Sequence, residues 1–90
     1  MFKLTGKTAL VTGASGGIGS AIAKALHSQG AEVILSGTRE GILSELADQL
    51  TSRVHVIVAD LEDPKSIEIL VKKAELISVE GVDIVVNNAG

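Results

Sequence analysis

The 90-residue sequence contains no cysteine, no tyrosine and no tryptophan, and Phe2 is its only aromatic residue. Without cysteine there is neither a disulfide framework nor a thiolate metal site. Without tyrosine, no phenol within these residues can act as an acid. A basic surplus is missing as well. Eight Lys and Arg stand against eleven Asp and Glu, for a formal net charge of −3, which argues against the cationic face that nucleic acid requires. No apolar run approaches the roughly 20 residues of a membrane span. The opening segment MFKLTGK lacks the apolar core of a secretory signal, so the expected location is cytoplasmic. Composition does not point to disorder, since 46% of residues are hydrophobic and 21% charged, near globular averages.

What the sequence has is glycine, ten in all, in telling positions. Four short apolar runs, 8–12, 31–35, 54–59 and 82–86, are apolar on both faces and bounded by glycine or polar residues. Strands of a parallel sheet covered on both sides read this way. Between them lie helical periods: Ile18, Ile22, Ala25 and Leu26; Ile42, Leu43, Leu46, Ala47 and Leu50; Ile67, Leu70, Val71, Ala74 and Ile77. Gly30 suits the position just after the first helix. Asp63 and Pro64 make a clean start for the third, and Gly81 marks its end or the turn into the fourth strand. The order β-α-β-α-β-α-β predicts right-handed crossovers in an α/β, Rossmann-type doubly wound parallel sheet with strand order 3-2-1-4. Ligands of such sheets bind where the strand order reverses, outside the C-terminal strand ends. A fourth strand left as a flat apolar edge is an aggregation template. Residues 1–90 are therefore expected to be the N-terminal half of a longer domain.

The segment Thr12-Gly13-Ala14-Ser15-Gly16-Gly17-Ile18-Gly19 joins the first strand to the first helix. Free amides at a helix start, with the helix dipole, attract anions. Gly13 is expected to make the turn out of the strand. Gly17 would let a pyrophosphate approach the backbone, and Gly19 would let the helix pack close. Ser15 offers a hydroxyl to a phosphate or ribose oxygen. Neither the strict G-x-G-x-x-G spacing nor a Walker pattern is present; the pattern is T-G-x-x-x-G-x-G.

That pattern, with Asp60-Leu61 after the third strand and Asn87-Asn88-Ala89-Gly90 after the fourth, resembles the short-chain dehydrogenase/reductase family over the whole chain. The opening from Leu4 to Ser15 is most similar to bacterial 3-oxoacyl-[acyl-carrier-protein] reductases. The resemblance implies an NAD(P)-binding domain whose cofactor contacts fall on Gly13, Ala14, Ser15, Gly16, Gly17, Ile18, Gly19, Thr38, Arg39, Asp60, Leu61, Asn87, Ala89 and Gly90. Asp60 would accept the adenine amino group and the Leu61 amide would contact the ring. Asn87 would line the adenosine side and brace the fourth strand, with Asn88 bonding open backbone groups. Ala89 and Gly90 would leave room for the cofactor ribose.

An acid at the end of the second strand holds the ribose hydroxyls of NAD, yet that strand ends Leu35-Ser36-Gly37-Thr38-Arg39. A carboxylate there would repel a 2′-phosphate by roughly 4 kcal/mol per charge pair at about 4 Å and an effective dielectric near 20. Thr38 and Arg39 in its place favour NADP(H) over NAD(H), with Arg39 contacts worth about 1.5–3 kcal/mol each. Family members often carry a basic residue just before the second glycine of the turn; this chain has Gly16 there.

In the family, hydride passes from the nicotinamide to a carbonyl carbon while a Tyr phenol supplies the proton, with Lys and Ser beside it. Those residues lie beyond the NNAG segment, so no catalytic residue is carried over to this chain. The parent protein is expected to be an NADPH-dependent reductase acting on a 3-oxoacyl thioester held by acyl carrier protein, in fatty acid biosynthesis. Its partners would be the rest of its own chain and, as for many relatives, three further copies in a tetramer. Two other readings stand beside it: a non-catalytic dinucleotide-binding fragment, and a short-chain reductase for another ketone or alcohol. His27 and His55 are isolated and make no metal site, with His27 expected to be exposed. Lys72, Lys73, Glu45 and Asp48 read as solvated helix faces.

Overall fold

In the computed structural model, which describes residues 3–88, seven elements alternate along the chain. They are β1 (Thr8–Val11), α1 (Gly17–Ser28), β2 (Glu32–Gly37), α2 (Glu40–Leu50), β3 (Val54–Val58), α3 (Pro64–Ile77) and β4 (Ile84–Val86). All pairings are parallel, in the order β3-β2-β1-β4. The expected order 3-2-1-4 is the observed one. The fold is the N-terminal half of a Rossmann-type sheet.

The burial of β2 explains the layering. Val33, Ile34 and Leu35 are all fully buried, although successive strand side chains point to opposite faces. A layer must therefore cover each side. Val33 and Leu35 join Ala9, Val11, Ala23, Leu43 and Leu46 on the side of α1 and α2. Ile34 joins Ile57, Ala59, Leu70 and Ala74 on the side of α3.

Each helix ends by a different local device. Asp63 accepts from the Lys65 amide at 3.1 Å and Pro64 opens α3, as the sequence predicts. Gly30 takes a φ of 97° after α1 and donates to the His27 carbonyl at 3.0 Å. Helix α2 has no glycine at its end, and Thr51 and Arg53 take positive φ instead. The Arg53 guanidinium then donates to the carbonyls of Ala31 at 3.0 Å and His27 at 3.3 Å. His27 is half-buried rather than exposed, with its ring against the Ser52 carbonyl at 2.7 Å. His55 pairs with Glu32.

All three helical stripes differ from their expected form; on α2, Leu43 and Leu46 are buried while Ile42 is exposed. Ile18 is 71% exposed and Ala25 is exposed; the buried residues of α1 are Gly19 and Ala23. Small residues let this helix lie close to the sheet, so the apolar count alone misplaced its face. On α3, Leu70 and Ala74 are buried while Ile67, Ile69 and Val71 are exposed.

Strand β4 has only three residues and lies at the sheet edge. Side chains pin it at both ends. The Asp83 carboxylate accepts from the Thr8 amide at 2.8 Å, and the Asp83 amide donates to the Thr8 carbonyl at 2.9 Å. At the other end Thr12 binds Val86 through backbone and hydroxyl.

In the natural full-length protein, Leu43→Ala is expected to lower unfolding free energy by about 2–5 kcal/mol through the cavity it leaves. The exposed Glu45→Ala change on the same helix should stay within about 0.5 kcal/mol. Urea denaturation of both variants checks the assignment of the α2 face.

Candidate functional site

The switch in strand order falls at β1, whose C-terminal Val11 lies between Leu35 of β2 and Val86 of β4. A cleft of about 880 Å³ opens there, within the range of ligand sites. The β1–α1 turn with the first residues of α1, the end of β2 with Thr38 and Arg39 after it, and the loop after β3 line it, together with Asn88.

The turn is built tightly. Gly13 takes a φ of 64°, a left-handed conformation that glycine enters without penalty. The Ala14 amide donates to the Ser36 carbonyl at 3.0 Å, fastening the turn to β2. The Gly16 amide donates to the Gly13 carbonyl at 3.1 Å. A Cβ at Gly19 would collide with that same carbonyl and lie 2.9 Å from the Asn88 side-chain nitrogen. Gly19 thus packs against the turn itself more than against the strand.

The start of α1 has an unusual balance of charge. Gly16 is its N-cap, with no side-chain cap, and no acidic residue lies in its first turn. Helix α3 is capped by Asp63, and α2 has Glu40 in its first turn. The amides of Ser15, Gly17, Ile18 and Gly19 find no acceptor among the described residues. They carry the positive end of the helix dipole with no acceptor among the described residues and no acid in the first turn to balance it. A Cβ at Gly17 would meet nothing within 4 Å, so that backbone is open to an approaching anion.

Around the rim, Thr38 and Arg39 are exposed and line the cleft, while Glu40 does not. The only side-chain ion pair among the described residues is His55–Glu32, so Arg39 has no carboxylate partner there. Asp60 lies beyond the end of β3 and is partly engaged. Its Oδ1 accepts from the Glu62 amide at 2.9 Å, and its own amide donates to the Ser66 hydroxyl at 2.8 Å. It therefore shapes the loop as well as lining the cleft beside Leu61.

Of the residues singled out in the sequence, Gly13, Ser15, Gly16, Gly17, Ile18, Thr38, Arg39, Asp60 and Leu61 come together at the cleft. Ala14 and Gly19 are buried behind it. Asn87 is exposed and outside the lining, its Oδ1 3.5 Å from the Thr12 hydroxyl. Ala89 and Gly90 lie outside the described residues. Sequence reasoning did not place Thr12, Ser36, Gly37, Ala59, Glu62 or Asn88 at the site. Thr12 was within reach, being the first residue of the glycine motif. Its hydroxyl donates to the Val86 carbonyl at 3.1 Å and accepts from the Asn88 amide at 3.1 Å, which holds Asn88 at the cleft. Among the described residues there is no cluster of metal-ligating side chains, and no helix is long and apolar enough to cross a membrane.

A parallel sheet with an open, uncapped helix start at its switch point defines the class of Rossmann-type nucleotide-site proteins. Comparison with known proteins narrows this. The family model for short chain dehydrogenase matches residues 7–90. Nodulation protein G of Rhizobium sp. (strain N33) is 57% identical over 90 residues, which is all of this chain and 36% of that protein. Oxidoreductase UcpA of Escherichia coli (strain K12) is 48% identical over 94 residues, covering all of this chain and 35% of that protein. The 3-oxoacyl-[acyl-carrier-protein] reductase FabG of Rickettsia conorii (strain ATCC VR-613 / Malish 7) is 44% identical over 90 residues, with the same coverage. A solved short chain dehydrogenase/reductase family protein superposes with a TM-score of 0.88 at 36% identity, covering 98% of this chain and 35% of that one. The chain belongs to the short chain dehydrogenase family, and it spans about a third of the length of the relatives it matches.

Two glycine-to-alanine changes should have opposite signs. Gly19→Ala forces a shift at the Gly13 carbonyl and is expected to cost about 1–3 kcal/mol of stability. Gly41→Ala, in an α2 position where a Cβ meets nothing within 4 Å, should gain roughly 0.5–1 kcal/mol. Thermal melting of the full-length variants reads both.

Proposed function

We propose that this chain is the cofactor-binding half of an NADPH-dependent reductase. One observation carries the reading: the bare amides of Ser15, Gly17, Ile18 and Gly19 at a helix start that has neither a side-chain cap nor an acid in its first turn. The residues present fit a dinucleotide. A diphosphate would receive the amides of the turn, supported by the dipole of α1. Thr38 and Arg39 would take a 2′-phosphate, and the cleft wall at Asp60 and Leu61 would take the adenine. A dinucleotide bound there supplies a hydride. The chain's own residues bind and orient it and keep the diphosphate away from competing carboxylates. The sequence has no tyrosine, so these 90 residues contribute cofactor placement and no phenol acid, and alone they should bind without turnover.

For the substrate, we favour a 3-oxoacyl thioester carried by acyl carrier protein. The support is a reductase relative of that name matching across the whole chain, together with the Leu4–Ser15 opening. The protein would then work in the cytoplasm as a homotetramer, with acyl carrier protein as its partner. The other relatives bear different names, which supports a second reading, a reductase for another ketone or alcohol.

Calorimetry on the full-length protein tests the cofactor, with NADPH expected to bind more tightly than NADH. Arg39→Ala should weaken NADPH by about 10- to 150-fold, the equivalent of about 1.5–3 kcal/mol for a charge-assisted contact, and leave NADH nearly unchanged. Equal losses for both nucleotides would remove Arg39 from 2′-phosphate recognition. Oxidation of NADPH by an acetoacetyl thioester, against a panel of simple ketones, separates the two substrate readings.

A further inference from the structure

The loop from Asp60 to Ser66 closes on itself through one hydroxyl. The ladder between β2 and β3 runs out at Ala59, whose amide donates to the Gly37 carbonyl at 2.9 Å. The next amide, that of Asp60, lies beyond the ladder and donates to Ser66 Oγ at 2.8 Å instead. Ser66 is the third residue of α3. In a capping box, the side chain at that position reaches back to the amide of the N-cap. Here the N-cap is Asp63, and its amide is already held by the Asp60 carbonyl at 3.0 Å. Ser66 reaches further back, to Asp60 itself. The Lys65 amide is served by Asp63, so this start of α3 has its cap without Ser66.

We infer that Ser66 is a positioning residue for the nucleotide: by holding the Asp60 amide it fixes the direction of the Asp60 carboxylate in the cleft wall. The inference rests on the reading above that adenine lies at Asp60 and Leu61, and it adds a residue that lines no part of the cleft. Asp60 is bound at its amide by Ser66, at its carbonyl by Asp63 and at Oδ1 by the Glu62 amide. Its Oδ2 has no hydrogen-bond partner among the described residues, and it is this oxygen that is left for the amino group of adenine. The bonds from Glu62 and Asp63 come from the loop and its end, and they travel with it. Only Ser66 stands inside α3, which is anchored on the sheet by the buried Leu70 and Ala74. Through Ser66 the carboxylate is referred to that fixed frame. Asp60 is exposed, so water can replace the hydroxyl as acceptor for its amide, but water carries no position. Loss of the hydroxyl therefore acts on the aim of the carboxylate, and a hydrogen bond weakens steeply as its geometry degrades.

The test uses the natural full-length protein with NADPH and its deamino analogue, in which hypoxanthine replaces adenine, and reads both affinities by calorimetry. Wild type should prefer NADPH by at least about tenfold, as one hydrogen bond to a charged acceptor provides. Asp60→Ala should abolish that preference. Ser66→Ala should reduce it by at least about fivefold, since the acceptor is present but no longer aimed. Ser66→Thr, which keeps the hydroxyl, should stay within about twofold of wild type, the ordinary error of such comparisons. A merely structural role for Ser66 would lower both affinities together and leave their ratio unchanged; that result would overturn the inference while the dinucleotide reading stands. Wild-type protein that binds both cofactors equally would remove adenine from Asp60 and the inference with it. Wild-type protein that binds neither would overturn the dinucleotide reading as a whole. Should Ser66→Ala fail to fold, hydrogen exchange of the wild type carries the test. The Asp60 amide should exchange at least about tenfold more slowly than a free amide, and more slowly again with NADPH bound; exchange at the free rate in both states would refute the tie.

Discussion

Helix α1 begins where it does because Gly19 rests against the Gly13 carbonyl with no side chain between them. That contact brings the first turn of the helix back over the end of β1. The remaining geometry of the site follows from it. Ala14 is drawn to Ser36 and Gly16 to Gly13, and the amides left over at Ser15, Gly17 and Ile18 belong to residues that line the cleft. A capping side chain would satisfy those amides and neutralise the helix end. Glycine at position 16 leaves them available, and Asp63 at α3 shows the alternative within the same chain. The local instability of an open helix start is offset by the packing of α1 on the sheet, not by the turn.

The sheet holds this arrangement from both sides. Strand β2, buried on each face, fixes the wall at Ser36 and Gly37. Strand β4 is too short to be secured by its ladder alone. Its place depends on Asp83 at one end and Thr12 at the other. Thr12 therefore belongs to the sheet and to the site at once. Its hydroxyl receives the Asn88 amide and so holds Asn88 in the cleft wall.

Much of this was legible in the sequence because each signal was local and redundant. Short apolar runs separated by helical periods determine the strand order once crossovers are right-handed, and the Asp63-Pro64 pair marks a helix start by chemistry alone. The glycine motif announces its site because strand, turn and helix dipole converge on it. What escaped depends on distances that spacing does not contain. Ile18 scores as an apolar stripe member, yet Gly19 and Ala23 are the residues that let α1 come close. Asp60 is read from the sequence as a ligand contact, and the Glu62 amide on its Oδ1 adds a role in shaping the loop. The left-handed Thr51 and Arg53 break no visible pattern, since non-glycine residues enter that region only when tertiary contacts such as those of Arg53 support them. Ser36, Gly37 and Asn88 reach the cleft through neighbours distant in sequence.

The central claim is that unpaired main-chain amides between Ser15 and Gly19 hold a diphosphate. The most direct measurement is a titration of uniformly 15N-labelled full-length protein with NADPH, following backbone amide resonances. The account predicts that the amides of Ser15, Gly17, Ile18 and Gly19 move most and together, with the same saturation midpoint. Shifts confined to other surfaces, with these four amides unmoved at saturation, would contradict it.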